Sequence, residues 1–247
     1  MNTHHAQAVR LPEKWRSFLA QELSLTEWEH QLDRHLSSFS EIIPERGLIF
    51  NALELVPPER VCCVLFGEDP YPRVTSANGV AFWDAEIKSW QDKTNGNALK
   101  NILKALLVAR GKADYFTSIA ACRQLVAGNG FKQPAQLFSY WLRRGALLIN
   151  TAMTFSGARD KKRHFNFWRP FHQALIRSLN RRSRSPVYIL WGRSAWSWQP
   201  EILQTIDDPA KILRHGHPTF IHQFLNKEQP RWSPFTEIEQ ATGFRWS

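Results

Sequence analysis

Residues 61–83, VCCVLFGEDPYPRVTSANGVAFW, decide the fold. Val61 to Phe66 are apolar without a break. A run this short predicts a strand buried on both faces, as inside a parallel sheet. Gly67, Pro70 and Pro72 then end it, because proline has no N–H to donate and cannot extend a ladder or a helix interior. Asp69 is therefore expected on a stiff turn at the carboxyl end of a strand, where open α/β sheets bind ligands. Gly79 to Trp83 is a second small apolar segment, which brings the Phe82 ring toward the same point. Asp beside Pro is also an ordinary turn former, so this stretch alone leaves a structural role open.

Working outward, similar signals recur. Ala146 to Asn150, Val187 to Gly192 and Lys211 to Arg214 predict three more strands, each with a helical pattern before or after it. Leu25, Trp28, Leu32, Leu36 and Phe39 share a helical face behind Ser24-Leu25-Thr26-Glu27, which has capping-box spacing. Helices are also expected over Leu99 to Leu107, from Pro134 to a stop at Gly145, and from about Arg169 through Leu179. Residues 92–97 read as a polar loop, and residues 111–134, with glycines at 111, 128 and 130, as irregular before Pro134. Strands alternating with helices predict a three-layer α/β/α domain around a mostly parallel four-stranded sheet. The whole of 1–247 is expected to be one domain, its part up to about residue 45 helical. In a parallel sheet all carboxyl ends lie on one edge, so Asp69, Asn150, Gly192 and His217 should converge.

Composition narrows the partners. The 32 Lys and Arg against 22 Asp and Glu give a net charge of +10, which favours a polyanion such as nucleic acid. The 11 Trp and 16 Phe add faces that can stack on bases, although most such rings fill cores. Three cysteines, Cys62, Cys63 and Cys122, make neither a disulfide framework nor a metal-ligand spacing, and no metal or cofactor is expected. No apolar run has the length of a membrane span, and the first residues lack a secretory apolar core. Cytoplasmic location, a monomer and no membrane contact are the expectations.

Asp69 on such a rim is an acceptor that can orient water. Asn150 offers a paired donor and acceptor, complementary to an imide edge such as that of uracil. His217 can hydrogen-bond a carbonyl oxygen that gains negative charge, and Phe82 can stack on a planar ring. Together they describe a pocket for a pyrimidine-like base, which an enzyme must take out of the DNA stack.

At this point the chain resembles the Ung-type (family 1) uracil-DNA glycosylases, as a divergent member. Gly67-Glu68-Asp69-Pro70-Tyr71-Pro72 is similar to that family's GQDPYH, Asn78 to Phe82 to HGLAF, Leu147 to Thr151 to LLLNT, Ile189 to Gly192 to LLWG, and His217 to Ile221 to HPSPL. The five lie in family order over roughly residues 40 to 245. The resemblance implies hydrolysis of the N-glycosidic bond of uracil in DNA, without metal or cofactor. By it, Asp69 positions the water and offsets positive charge on the sugar, and His217 stabilises the departing base at O2. Asn150 reads the uracil edge, Phe82 stacks on it, and Tyr71 blocks a 5-methyl group. Ile221 takes the place of a leucine wedge, while Thr219 and Arg73 fall in DNA-contacting motifs. Acidic DNA-mimicking inhibitor proteins are possible partners by the same resemblance.

Several positions depart from the pattern. Glu68 replaces Gln and sets a second carboxylate beside Asp69, where like charges should raise one pKa. Pro72 replaces His, Arg73 a usual glycine, Ala98 a serine, and Thr219 and Phe220 replace Ser and Pro. These departures keep two alternatives in play, excision of a different or modified base and a non-catalytic DNA-binding homologue. His215 rivals His217, and Gly192-Arg193-Ser194 lacks the second glycine of a nucleophile elbow.

Overall fold

The sheet is parallel throughout. In the computed structural model, which describes residues 9–93, 96–127 and 130–247, β1 (Cys63–Gly67), β2 (Ala146–Asn150), β3 (Val187–Trp191) and β4 (Ile212–His215) lie in the order β2-β1-β3-β4. Each neighbouring pair runs in the same direction. The start of the expected helical amino-terminal part (residues 1–8), Thr94 and Asn95 of the polar loop, and Gly128 lie outside the described residues. β1, β2 and β3 are buried at every position, which is why their sequences show no alternation. Edge strand β4 buries only His215 fully.

Register sets the rim. Gly67 pairs with Asn150 and Trp191 with His215, so the strand exits stand side by side. From β1 the chain steps to β2 on one side, then crosses back to β3 on the other. Right-handed crossovers put the two sets of connecting helices on opposite faces and open a crevice at the carboxyl ends of β1 and β3.

The helices follow their apolar faces. Leu25–Ser37 buries Trp28, Leu32 and Leu36. Its expected capping box does not form: Ser24 makes no side-chain cap bond, although its carbonyl accepts the first helical bond from Trp28 N–H at 2.9 Å. Burial of Trp28 fixes this end. Before it, Glu13–Leu19 buries Trp15, whose Nε1–H donates to the carbonyls of Leu53 at 2.9 Å and Val56 at 3.1 Å. Ala98–Ala109 and Pro134–Arg143 occupy the expected places, the latter followed by Gly145 at φ 88°.

Two expectations are corrected. Residues 111–134 are not irregular throughout, since Ile119–Val126 is a helix whose Ser118 Oγ accepts from Ala121 N–H at 3.1 Å. The flanking glycines masked this short cap signal. The helix expected from about Arg169 begins eight residues earlier by its bounds, Lys161–Asn180, and runs through Pro170. Pro170 removes one backbone bond to Asn166, but both residues are exposed, so water can take its place. His164, Trp168, Phe171 and His172 bury the inner face on either side of it, and that burial outweighs the proline.

Candidate active site

The turn leaving β1 is laced to the exit of β2. Thr151 donates to the Gly67 carbonyl twice, from N–H at 2.9 Å and from Oγ1 at 3.0 Å. Ala152 N–H donates to the Glu68 carbonyl at 2.9 Å, and buried Trp198 donates to Thr151 Oγ1 at 3.1 Å. Asp69 therefore sits on a braced turn. Thr151 and Trp198 had no assigned role in the sequence, because nothing local marks a residue that braces a distant loop.

Gly67 must be glycine here, since a Cβ would stand 2.3 Å from Asn150 Oδ1 and 2.9 Å from Ala81 Cβ. Asn150 is 8% exposed. Its side-chain amide makes no hydrogen bond among the described residues, which leaves both its ends for a ligand.

His217 is held with equal care. Thr219 N–H donates to its Nδ1 at 3.1 Å, so Nδ1 is an acceptor and the neutral ring carries its proton on Nε2. Burial lowers the His217 pKa, against an opposing pull from Glu68. The ring is thus neutral at pH 7 and still a donor. Asn101 Nδ2 fixes the same turn by donating to the Pro218 carbonyl at 2.7 Å. Beneath it, Gly192 has φ 84°, and a Cβ there would come within 2.7 Å of His217 Cβ.

Phe82 has φ 65°, the only positive φ of a non-glycine among the described residues. Such strain persists only where the surroundings impose it. Its ring stands edge-on to Trp191 at 5.3 Å and tilts 6.0 Å from His217. Tyr71 OH donates to the Phe82 carbonyl at 3.3 Å. Burial, with a contribution from Asp84, raises the Tyr71 hydroxyl pKa and keeps it protonated.

The paired carboxylates have a cation. Lys161 Nζ lies 2.6 Å from Glu68 Oε1 and 3.0 Å from Asp69 Oδ2. Burial raises the Asp69 pKa, Lys161 lowers it in part, and Glu68 raises it again. Sequence reading passed over Lys161. No local signal marked it, because the sequence places this helix start at about Arg169, whereas the structure starts the helix at Lys161.

Glu68, Asp69, Tyr71, Phe82, Asn150, His217 and Thr219 line one cavity of about 190 Å³. Pockets for drug-sized ligands run to about 300–1,000 Å³, so this cavity suits a single ring. Two predicted site residues are not among its lining. Arg73 turns to Glu86 and to Ser76 Oγ, the latter at 2.9 Å. Ile221 opens the short helix Ile221–Phe224, half-buried against the core, while Phe220 before it is 51% exposed. His215 points elsewhere, with Nε2 3.1 Å from Glu237 Oε2, so His217 is the histidine of the cavity. Among the described residues, no group of three His, Cys, Asp or Glu side chains could hold a metal ion.

The sequence profile of the Uracil DNA glycosylase superfamily matches residues 53–238. The chain belongs to that superfamily. It is 28% identical to a Pseudomonas aeruginosa uracil-DNA glycosylase over 99% of this chain and 98% of that protein. With a Clostridium perfringens uracil-DNA glycosylase it shares 30% identity over 72% of this chain and 68% of that protein. Among solved structures, a point mutant of the Nitratifractor salsuginis UNG superposes with a TM-score of 0.74 at 26% identity, covering 94% of this chain and 92% of that one. A mimivirus UNG solved in complex with UGI shares the fold at TM-score 0.60 and 22% identity, over 85% of this chain and 71% of that one.

Within this glycosylase, all five motifs noted in the sequence reach the carboxyl edge of the sheet. Four of the six departures lie there as well: Glu68, Pro72, Ala98 and Thr219 line the cavity, whereas Arg73 and Phe220 do not. No helix of the described residues is long and apolar enough to cross a membrane.

Proposed function

We propose that this chain, acting as one domain and as a monomer in the cytoplasm, excises uracil from DNA and leaves an abasic site for base excision repair. One observation carries the reading. An unengaged amide (Asn150), a ring carried on a strained backbone (Phe82), a neutral imidazole donor (His217) and a carboxylate (Asp69) face a single cavity sized for one ring. Family membership and the relatives' activity support it.

A flipped uracil stacks on Phe82 and presents its O4 and N3–H to the two ends of the Asn150 amide. Tyr71 closes the cavity beside C5 and excludes a methyl group. As the C1′–N1 bond breaks, its electron pair leaves on the base, and His217 Nε2–H donates to O2 where the charge settles. Asp69 faces the cationic sugar and orients a water. That water forms the new C1′–O bond and releases a proton to Asp69. No metal or redox group takes part in these steps.

DNA approaches over the basic side of the rim, where Arg159 and Lys162 are exposed next to Lys161. Thr219 and the Phe220–Ile221 turn enter the gap left by the flipped nucleotide. Arg73, released from Glu86, adds a phosphate contact. An acidic protein that imitates the DNA backbone meets the same surface.

The test is base release from a labelled single-stranded oligonucleotide carrying one uracil, read as alkali cleavage at the abasic site. Wild-type protein is expected to cleave, and Asp69→Asn to lose about 10²–10⁴-fold of the rate while still binding DNA. No cleavage by the wild type would overturn the reading.

A further inference from the structure

Two adjacent carboxylates are a poor design for a site that must admit a phosphate backbone and release an anionic base. Glu68 and Asp69 are nevertheless neighbours on one braced turn, with side chains 40% and 21% exposed. The compensation comes from far away in the chain. Lys161 is the first residue of the Lys161–Asn180 helix, and its Nζ touches both carboxylates. A cation at a helix amino terminus opposes the helix dipole, and the one acid at this end, the N-cap Asp160, pairs with Arg163 at 2.9 Å while Lys161 turns to Glu68 and Asp69. Helix stability therefore does not account for Lys161.

We propose that Lys161 is a positioning residue: it joins Glu68 and Asp69 in a triad with one net negative charge and holds Asp69 ionised over the cavity. Two carboxylates and one ammonium leave the charge of a single carboxylate, enough to oppose a cationic sugar without doubly repelling the departing base. The contact to both oxygens also fixes where the Asp69 carboxylate points. Glu68 and Lys161 thus belong together, each tolerable because of the other. The charged and titratable groups around Asp69 are Glu68 and Tyr71 on its own turn, Lys161 from the helix, and His217 from the exit of β4.

The kinetic half of the test rests on the uracil reading, and the spectroscopic half does not. Lys161→Met keeps the aliphatic stem and removes the charge. An opposite charge at this range lowers a carboxylate pKa by about 1–3 units. Without it, the Asp69 carboxyl ¹³C titration midpoint should rise by about one unit. The acid limb of single-turnover uracil release should rise with it, so release on that limb falls about tenfold. In Glu68→Gln/Lys161→Met the repelling carboxylate is gone too, and both midpoints should move back toward wild type. An unmoved Asp69 midpoint in Lys161→Met, or a double variant no closer to wild type than the single, would overturn the proposal. Should the wild type release no uracil while the Asp69 midpoint moves as expected, the triad stands and the uracil reading falls.

Discussion

Thr219 N–H donates to Nδ1 of His217 at 3.1 Å, and this one bond decides which ring nitrogen shows its proton to the cavity. Burial also lowers the ring's pKa, so His217 is neutral with its proton on Nε2, the donor that the proposed reaction uses. His217→Ala is expected to slow uracil release by about 10²–10³-fold, the loss typical of one oxyanion donor. ¹⁵N shifts of the wild-type ring should show an unprotonated Nδ1 at pH 7. A doubly protonated ring at that pH would contradict the assignment.

Gly67→Ala probes the Asn150 side chain without altering it. The added methyl would meet Asn150 Oδ1 at 2.3 Å and must push the amide aside. A shift on the order of 1 Å costs about 10²-fold in rate. Uracil release should fall by that order while the circular dichroism spectrum stays that of the wild type. Unchanged kinetics would mean that Asn150 does not read the base.

Tyr71 stands beside the cavity with its hydroxyl tied to the Phe82 carbonyl. In the proposed pose, Tyr71→Ala opens space next to C5 of the base. Thymine release, expected to be absent from the wild type, should appear in the variant by chromatography of the freed bases, and uracil release should slow. If thymine remains untouched, another group sets the limit at C5.

Phe220 and Ile221 separate stability from the proposed insertion into DNA. Phe220 is 51% exposed, whereas Ile221 packs partly on the core. Phe220→Ala should leave stability within about 0.5 kcal/mol of wild type. Both Phe220→Ala and Ile221→Ala should lower excision from duplex more than from single-stranded DNA, and only Ile221→Ala should also lower Tm. Equal losses on both substrates would remove the turn from the wedge role.

Acid should loosen the fold through its buried histidines. His172 lies against Phe66, Phe171 and Trp198, and burial takes its pKa from 6.5 to about 3. His35 and His164 fall to about 4, again chiefly by burial. These folded values lie below the unfolded one, so the unfolded chain binds more protons as pH drops. Their contribution is present above pH 6.5 and is lost as the pH falls toward 4. Each such histidine adds a slope of up to about 1.4 kcal/mol per pH unit. Urea midpoints between pH 7 and pH 5 should show that fall, and His172→Phe should make it shallower.

Much of this was readable in the chain. The apolar runs ending at Gly67, Asn150 and Trp191 gave three buried strands, because residues covered on both faces need no polar alternation. The turn residues after Phe66 placed Asp69 at a strand exit, and the parallel sheet brought Asn150 and His217 to it. These are local signals. The start of the Lys161 helix was misjudged because Pro170 dominates its local pattern, while the burial of His164 and Trp168 that outweighs it is tertiary.

By itself the sequence determined the strands, their stiff exits and the residue types on the rim, since each depends on neighbours a few positions away. Only the tertiary structure decided which groups touch: Lys161 with Glu68 and Asp69, Arg73 with Glu86, Thr219 with His217, and His217 rather than His215 in the cavity. The physical reason is range. Propensity and periodicity act over a few residues, whereas charge pairing and close packing depend on where the crossovers deliver distant segments.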